Sequence, residues 1–466
     1  MMTLALAIRN LTRNRRRSIT TLAAIIVGAV AILLFGGYSR NIRYGLQMGF
    51  VRSSGHLQIQ HKDYFLYGSG DPAAYGIADY RHVMDVVRHD PVLAPMLTVV
   101  TPTLDLGGIA GNFDAGVSRT VLVSGTEVEG QNELRKWDDF GFGDRAGPLP
   151  LTHTAVNAAV VGEGVARVLQ LCAALGVKRC AAPGSARSRK IDGAAPTLPP
   201  DLVRLSTEAG AGRPEHKDPR IELLAATARG APNVASLSVV KVERQGVKEL
   251  DDVYVAMHLA QAQRLIYGGE PPQVTAIILQ LRHTSQIPAA KARLQSLLDT
   301  SLKGTPLEVH DFETLNPYYG QAVGLFAAIF GFISILIGAI VLFTVGNTMS
   351  MAVVERTPEI GTLRAIGLRR SGIRRMFVLE GTLLGVAGSL LGILAALILA
   401  YCINHGGITW TPPGRVDAVP LTVRVWGEWA PMVAVAIGLT LVTVVSSWIP
   451  SGRGARTNIV AALRHA

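Results

Sequence analysis

Four long apolar stretches interrupt the mixed pattern of hydrophobic and polar residues along this chain of 466 residues. Each is long enough to cross the hydrocarbon core of a bilayer, which takes about 20 residues of helix. Tryptophans at positions 426, 429 and 448 flank the last stretch, as aromatic residues do at a membrane surface. The pattern predicts transmembrane helices at residues 18–40, 317–350, 376–403 and 428–449.

The first apolar stretch follows a basic segment, residues 1–17, and two interpretations stay open. Ala29-Val-Ala31 is similar to the small-residue site at which a signal peptide is cut. The apolar run nevertheless continues to Tyr38, which gives it the length of a membrane span. We favour a retained membrane anchor over a cleaved signal peptide.

Residues 41–316 have the composition of a water-soluble domain. Alternating apolar residues predict strands, and helical periodicity predicts helices. Because the two mix without strict alternation, we expect an α+β domain. Residues 181–235, rich in Gly, Pro, Ala and Arg, are predicted to form an irregular insert, and Gly107–Gly111 a loop. The predicted strands are 55–60, 120–124, 237–242, 253–255 and 274–279, and the predicted helices are 79–88, 258–267 and 288–302.

The net charge of +11 is concentrated beside the apolar stretches. Residues 1–17, 346–375 and 450–466 hold 14 of the 45 Lys and Arg residues but 2 of the 34 acidic residues. Basic residues crowd the cytoplasmic ends of membrane helices. We therefore expect both termini and residues 351–375 in the cytoplasm, and residues 41–316 and the short loop 404–427 on the other side. Membrane topology explains the charge without nucleic acid.

The cytoplasmic connection begins with Met351–Gly367. Ile360, Leu363 and Ile366 recur there at helical spacing among charged residues, which predicts a short amphipathic helix. A basic loop that includes four arginines follows, up to residue 375. Glu380, about one turn inside the third span, is expected to lie close to those arginines.

The same residues carry a family resemblance. Glu355-Arg-Thr-Pro-Glu-Ile-Gly-Thr-Leu-Arg-Ala-Ile-Gly367, followed by Phe377-Val-Leu-Glu-Gly381, resembles the signature of the FtsX-like permease domain. MacB, the LolC and LolE subunits of the lipoprotein-releasing transporter, and FtsX share that domain. The segments 450–456 and 459–464 are similar to the family's closing motif, a proline and basic cluster before a short helix that ends in Ala-Leu-Arg. Less closely, 159–166 and 249–265 resemble recurring segments of the extracytoplasmic region of MacB-like and Lol-type permeases.

The resemblance implies a fold: an α-helical membrane protein with four transmembrane helices and a large α+β extracytoplasmic domain between the first two. That domain is expected to be porter-like, with an inserted subdomain. The protein is expected in the inner membrane, with the large domain in the periplasm.

The resemblance also implies a function, that of the permease subunit of a MacB/Lol-type ABC transporter. Such a subunit couples ATP hydrolysis by a separate ATPase to movement of its extracytoplasmic domain, and so extracts or exports a lipoprotein, lipid or other hydrophobic substrate at the outer face. One alternative is an FtsX-like transmitter that activates a cell-wall hydrolase, and another is a membrane scaffold or sensor without ATPase coupling.

The partners that the resemblance implies are two copies of the ATPase, which bind the ATP and Mg²⁺, and a second permease chain in a homo- or heterodimer. A periplasmic chaperone or adaptor is a further implied partner. By the same resemblance, the residues expected to dock on the ATPase are Glu355, Arg356, Thr357, Pro358, Glu359, Ile360, Gly361, Leu363, Arg364, Ala365 and Gly367. The alternative for these residues is a helix at the membrane surface whose charges are merely solvated.

Small and aromatic residues of the spans have two interpretations each. Glycines recur every seven residues at 324, 331 and 338 of the second span, and lie in pairs at 381, 385, 388 and 392 of the third. They permit close helix packing, either within the chain or in a dimer. By resemblance, the residues that face a substrate or a second chain are Phe35, Tyr38, Gly324, Phe326, Phe330 and Gly331; simple lipid exposure is the alternative.

The sequence predicts no catalytic residue, metal site or bound cofactor in this chain. The dipeptide Gly-Lys does not occur, so the phosphate-binding loop of ATPases is missing, and no metal-ligand or Gly-x-Ser-x-Gly spacing is present. Cys172 and Cys180 lie in the segment placed outside the cytoplasm, where they form either a disulfide or two free thiols. Cys402 is expected to be a small core residue.

Overall fold

A computed structural model describes residues 9, 13, 15–68, 70–143, 146–177, 219–411 and 418–456. The chain divides into two compact units. One, called here the helical unit, comprises Met1–Leu46, Tyr318–Trp410 and Ala418–Ala466. The other, the mixed unit, comprises Gln47–Pro317 and Thr411–Asp417.

The secondary structure of the described residues is as follows. The helices are α1 (Arg15–Ser54), α2 (Tyr64–Tyr67), α3 (Tyr80–His89), α4 (Val128–Arg135), α5 (Glu163–Val168), α6 (Lys248–Asp251), α7 (Leu259–Tyr267), α8 (Ile287–Asp299), α9 (Phe312–Leu315), α10 (Pro317–Glu355), α11 (Thr357–Ala365), α12 (Arg370–His405) and α13 (Trp429–Ala455). The strands are β1 (Leu57–His61), β2 (Leu97–Asn112), β3 (Val117–Thr126), β4 (Ala158–Val161), β5 (Arg220–Ala226), β6 (Pro232–Val242), β7 (Tyr254–His258), β8 (Ala276–Leu281), β9 (Leu307–Asp311), β10 (Thr409–Trp410) and β11 (Val419–Pro420).

Four of the helices in the described chain are long and apolar enough to cross a membrane, namely α1, α10, α12 and α13. They contain the first three predicted apolar stretches and all of the fourth except residue 428. The helices continue past those stretches: α1 has 40 residues and α10 has 39, whereas the hydrocarbon core requires about 20. Residues beyond position 40 continue α1 as a helix, in which Met48 and Val51 are buried.

Glycines on α12 allow the helical unit to pack closely. A methyl group added at Gly388 would lie 2.7 Å from Ile25, and one at Gly392 would lie 2.5 Å from Ala29, both on α1. A methyl group added at Gly381 would lie 2.0 Å from the hydroxyl of Ser447, and one at Gly385 would lie 2.2 Å from the hydroxyl of Thr443, both on α13. Because van der Waals contact drives helix association in lipid, this glycine face determines which helices surround α12.

The glycines of α10 differ from those of α12. A methyl group added at Gly324, Gly331 or Gly338 would meet no atom of the described chain within 4 Å. Packing within the chain therefore accounts for the α12 glycines and leaves the α10 glycines on an open face. A dimer contact through that face stays a prediction.

The expectation that Cys402 is a small core residue is wrong, because its side chain is exposed. It lies near the end of α12, on the exposed face of that helix. An apolar sequence neighbourhood does not distinguish that face from the packed one.

The mixed unit is built on a sheet in which six strands form a closed ring. Their order is β2-β3-β7-β4-β6-β5, and β5 pairs again with β2. β2, which is 16 residues long, also pairs through its first half with β8, and β1 and β9 extend the sheet from there. The strands β8, β1 and β9 are called here the extension, and β2 is common to the ring and to the extension.

Two hydrophobic cores correspond to these two parts of the sheet. The first fills the ring and includes apolar residues of α5 and α7. The second lies between the extension and the helices α3 and α8. The buried residues of this second core come from the two ends of the mixed unit, 57–100 and 274–309. Those of the first core, inside the ring, come from the part of the chain between them, 104–267. The α+β character predicted from the mixed pattern is present.

Two sequence-based expectations in this unit are wrong. Gly107–Gly111 is part of β2 rather than a loop, and it pairs with β3 and β5. Gly108 is needed because a methyl group there would lie 2.9 Å from the carbonyl oxygen of Leu224.

The predicted insert 181–235 ends earlier than expected, because β5 and the start of β6 form a hairpin at its C-terminal end. Gly230 turns the chain there with a φ of 79°. Leu224 and Val234 are apolar but exposed, so the sequence of these strands does not show the alternation of apolar and polar residues that would predict them. Residues 178–218 of the same region, Cys180 among them, lie outside the described residues, so the disulfide with Cys172 stays a prediction.

A buried histidine lies where the end of α1 meets the sheet of the mixed unit. His56 is fully buried, and its Nδ1 accepts a hydrogen bond of 3.0 Å from the backbone N–H of Leu281. Its Nε2 lies 3.3 Å from the hydroxyl of Thr284, and the ring of Trp137 packs edge-on against it. Burial lowers the pKa of His56 to about 4, although the Asp139 carboxylate acts in the opposite direction.

We expect Gly392→Ala to destabilise the helical unit by about 1–3 kcal/mol, because the new methyl group would overlap Ala29. Gly331→Ala is the matched control, because it adds a methyl group where nothing lies within 4 Å. Thermal unfolding of the purified chain in detergent measures the difference. Equal midpoints for the two variants would contradict the packing described for α12.

We expect the mixed unit to lose stability as the pH falls from about 6.5 to about 4. In that window the unfolded chain binds a proton at His56 that the folded chain does not, which disfavours folding by up to about 3 kcal/mol. Unfolding midpoints at pH 7 and pH 5, compared with those of His56→Asn, isolate this contribution. The exposed His89 provides the control substitution, His89→Asn. If His56→Asn left the pH dependence of the unfolding midpoint unchanged, the assignment of this dependence to His56 would be refuted.

Candidate functional site

The short helix α11 connects two of the membrane-length helices. It follows the end of α10 at Glu355 after a single residue, Arg356. Pro358 stands in its first turn, where its missing N–H is not needed, so it begins the helix rather than bending it. Met351–Glu355 belong to α10, so the amphipathic helix is shorter than predicted.

α11 ends in a turn that only glycine forms readily. The backbone N–H of Gly367 donates to the carbonyl of Arg364, and that of Leu368 donates to the carbonyl of Leu363, both at 3.0 Å. Gly367 has a φ of 104°, which side-chain-bearing residues rarely adopt. This turn leads directly to the start of α12 at Arg370.

One ion pair near α11 is buried. Nη1 of Arg356 lies 3.0 Å from Oε1 of Glu380, and their side chains are 6% and 3% exposed. Glu380 was expected near the arginines at 369–375 but pairs with the residue that precedes α11. A buried charge needs such a partner, and removing either one typically costs 3–5 kcal/mol. The pair therefore holds the start of α11 against α12.

The two glutamates of this segment also pair within the chain. Nη2 of Arg13 lies 2.5 Å from Oε1 of Glu359, and Arg17 forms an ion pair with Glu355. These pairs are partly exposed, so each contributes roughly 0–1 kcal/mol. The arginines of the basic N-terminal segment thus neutralise the acids that sequence reasoning assigns to docking.

The remaining residues assigned to docking fall into three groups. Ile360 and Gly361 are buried, and Ile360 packs in a small core with Val353, Ile373 and Phe377. Thr357, Pro358, Leu363 and Arg364 are partly exposed, and Ala365 and Gly367 are exposed. Their role in docking stays a prediction.

Ile366, which the sequence pattern placed with Ile360 and Leu363 on one apolar face, is instead 79% exposed. It lies at the end of α11, where the helix stops and the apolar face no longer continues. The position of Gly367 directly after it is the sequence signal for this break.

Among the residues predicted to face a substrate or a second chain, two contact each other. The rings of Phe35 and Phe330 stack with centroids 6.1 Å apart, and Gly36 allows the Phe330 ring to approach the backbone of α1. Tyr38 packs against Trp410, 6.0 Å between ring centroids. Phe326 is partly exposed, and Gly324 and Gly331 lie on the open face of α10. Their functional assignment is a prediction.

In the part of the chain that the structure describes, no three His, Cys, Asp or Glu side chains are grouped so as to hold a metal ion. The polar groups around α11 are ion pairs and backbone hydrogen bonds. Among these groups, the Arg356–Glu380 ion pair connects the start of α11 to α12.

We expect Glu380→Gln and Arg356→Met each to destabilise the helical unit by about 3–5 kcal/mol, because each removes one partner of a buried ion pair. The double exchange Arg356→Glu with Glu380→Arg should restore part of that loss. Glu359→Gln, at the exposed pair, should cost less than about 1 kcal/mol. Unfolding midpoints of the four proteins in one detergent test this order. Single variants as stable as Glu359→Gln would refute the role of the buried pair.

Residues 328–459 match the model of the family described as FtsX-like permease C-terminal. The lipoprotein-releasing system transmembrane protein LolC of Neisseria meningitidis is 26% identical over 244 residues, which are 50% of this chain and 56% of LolC. The ABC transporter permease YtrF of Bacillus subtilis is 35% identical over 140 residues, 29% of this chain and 30% of YtrF. The chain thus spans about half or less of the length of these relatives.

Among solved structures, the match to the periplasmic region of MacB from Actinobacillus actinomycetemcomitans covers 57% of this chain and 94% of the MacB chain. The identity is 11% and the TM-score is 0.30. The family match includes most of α10, all of α11 and α12, and α13. Residues 328–459 therefore carry an FtsX-like permease C-terminal domain, and the chain is similar in sequence to the permeases LolC and YtrF.

Proposed function

We propose that this chain is the membrane subunit of an ABC transporter of the MacB/LolC type, working with a separately encoded ATPase. The observation that supports this most directly is α11, a short helix within the FtsX-like domain that connects two membrane-length helices and is bound to one of them by a buried ion pair. Of the relatives, LolC is a transmembrane protein of a lipoprotein-releasing system, and YtrF is an ABC transporter permease.

In this proposal the ATPase binds ATP and Mg²⁺, and α11 receives its movement. The Arg356–Glu380 pair makes α12 follow α11, because separating the two helices would break a buried ion pair. Two permease chains, identical or different, and two ATPases form the assembly. The mixed unit lies in the periplasm, and both termini lie in the cytoplasm.

The task that we propose is extraction or export of a lipoprotein, a lipid or another hydrophobic substrate at the outer face of the inner membrane. The stacked Phe35 and Phe330 rings provide an apolar surface between α1 and α10 that suits such a substrate. A periplasmic chaperone or adaptor would accept the released cargo.

We expect an ABC ATPase to co-purify with the tagged chain from membranes in mild detergent, and the complex to hydrolyse ATP. Mass spectrometry identifies what is recovered, and a second four-span chain in the sample would distinguish a heterodimer from a homodimer. The control is a complex whose ATPase has its phosphate-loop lysine substituted, which should be recovered but inactive. A peptidoglycan hydrolase as the main periplasmic partner would indicate the transmitter instead. Recovery of no ATPase would exclude both and leave a scaffold.

A further inference from the structure

One acidic side chain of the mixed unit points away from the core that fills the ring. Leu104 and Leu106 belong to that core, so Asp105 between them lies on the outer face of β2. Its carboxyl accepts hydrogen bonds from the hydroxyls of Ser124 and Thr103, and no basic side chain of the described chain forms an ion pair with it. The carboxyl of Asp105 is therefore available to a cation from outside the chain.

Asp105 lies in a recess rather than on an open surface. Water reaches its side chain, yet protein surrounds the carboxyl so closely that burial raises its pKa. Strand pairing places Gly107 opposite Leu122, and Leu122 opposite Tyr254, on the same outer face. A methyl group added at Gly107 would meet no atom of the described chain within 4 Å, and Leu122 is 60% exposed. The absence of a side chain at Gly107 thus leaves space between Asp105 and Tyr254.

Two tyrosines flank Asp105. The hydroxyl of Tyr64, on α2, is hydrogen-bonded to the side chain of Thr275. The hydroxyl oxygen of Thr275 in turn accepts a hydrogen bond of 2.9 Å from the backbone N–H of Asp105. Burial raises the pKa of Tyr64 and of Tyr254, and the nearby charge of Asp105 raises both further. Both tyrosines are partly exposed, so a ligand in the recess can contact their rings.

The other charges beside the recess do not neutralise Asp105. Arg135, at the end of α4, acts on Tyr254 but forms an ion pair with Glu243. A carboxylate beside aromatic rings attracts an organic ammonium ion, because the ring faces are electron-rich. A metal ion requires more ligands, and the described residues contain no group of three His, Cys, Asp or Glu side chains that could hold one.

We propose that this recess binds an organic cation, namely an ammonium group that carries an apolar substituent. Asp105 is its counter-ion, and Tyr64 and Tyr254 are its aromatic contacts. The substituent occupies the space at Gly107 and packs against Leu122. A free amine and the ethanolamine headgroup of a lipid share this chemistry, so the test includes both. The site goes beyond the proposed function and does not require an ATPase partner.

Isothermal titration calorimetry of the purified full-length chain with butylammonium tests the site. We expect a Kd of about 1 mM or below, and no measurable binding of neutral butanol at the same concentrations. Asp105→Asn should weaken the binding of butylammonium about tenfold or more, because it removes the counter-ion and keeps the size of the side chain. The matched control Asp85→Asn, at an exposed acid of α3, should bind as the wild type does.

Two further positions test the aromatic contact and the space. Tyr254→Leu removes an aromatic ring, so affinity should fall about threefold or more, whereas Tyr254→Phe keeps the ring and should change affinity at most about twofold. Gly107→Val fills the space with a side chain and should abolish binding. Unfolding midpoints close to that of the wild type would show that these variants are folded.

Equal binding of butylammonium and butanol would overturn the proposal, because an apolar crevice alone would then explain the affinity. An affinity that Asp105→Asn leaves unchanged, or that Asp85→Asn lowers equally, would also overturn it. Tighter binding of dihexanoyl phosphatidylethanolamine than of butylammonium would support the site with a lipid headgroup as the source of the amine, and the reverse order would support a free amine. If neither amine bound, the site would be refuted and the proposed function would be unaffected.

Discussion

The ion pair between Arg356 and Glu380 is the interaction on which the arrangement around α11 depends. Both side chains are almost completely buried, so each charge has lost its water and is stabilised by the other. Arg356 immediately precedes α11, and Glu380 lies about three turns into α12. The pair therefore sets where α11 begins relative to α12, and the small core around Ile360 forms beside it.

The sequence predicted the four long helices, the mixed character of the middle segment and the presence of α11, because periodicity and composition report local structure directly. It did not predict the partner of Glu380, since that contact joins residues 24 positions apart through the packing of two helices. It also missed the exposure of Ile366, which depends on where α11 stops. β5 was missed because exposed Leu224 hides its alternation, and Gly108 because a close approach of strands resembles a loop in composition.

Glycine shows most clearly what a pattern can and cannot determine. Gly331 on α10 and Gly392 on α12 occur in similar apolar surroundings, with similar spacing to other glycines. In the structure Gly392 is in contact with α1, whereas Gly331 faces no atom of the described chain. The residue type permits close approach, and the tertiary structure decides what approaches. Spacing alone therefore identified candidate contact faces but not their occupants.

The long strand β2 has a consequence for how the chain folds. Its first half pairs with β8, and next to that pairing the backbone N–H and the hydroxyl of Thr275 both donate hydrogen bonds to the carbonyl oxygen of Thr103, 172 positions away. Its second half belongs to the ring, whose strands β3 to β7 all precede β8 in the chain. Contacts between such distant residues slow folding, because a long loop must close before they form. During synthesis one edge of β2 is therefore left without its neighbour until β8 has emerged, and an unpaired strand edge can pair with another chain. The nascent protein should need protection at that edge from the time β2 appears until β8 is in place.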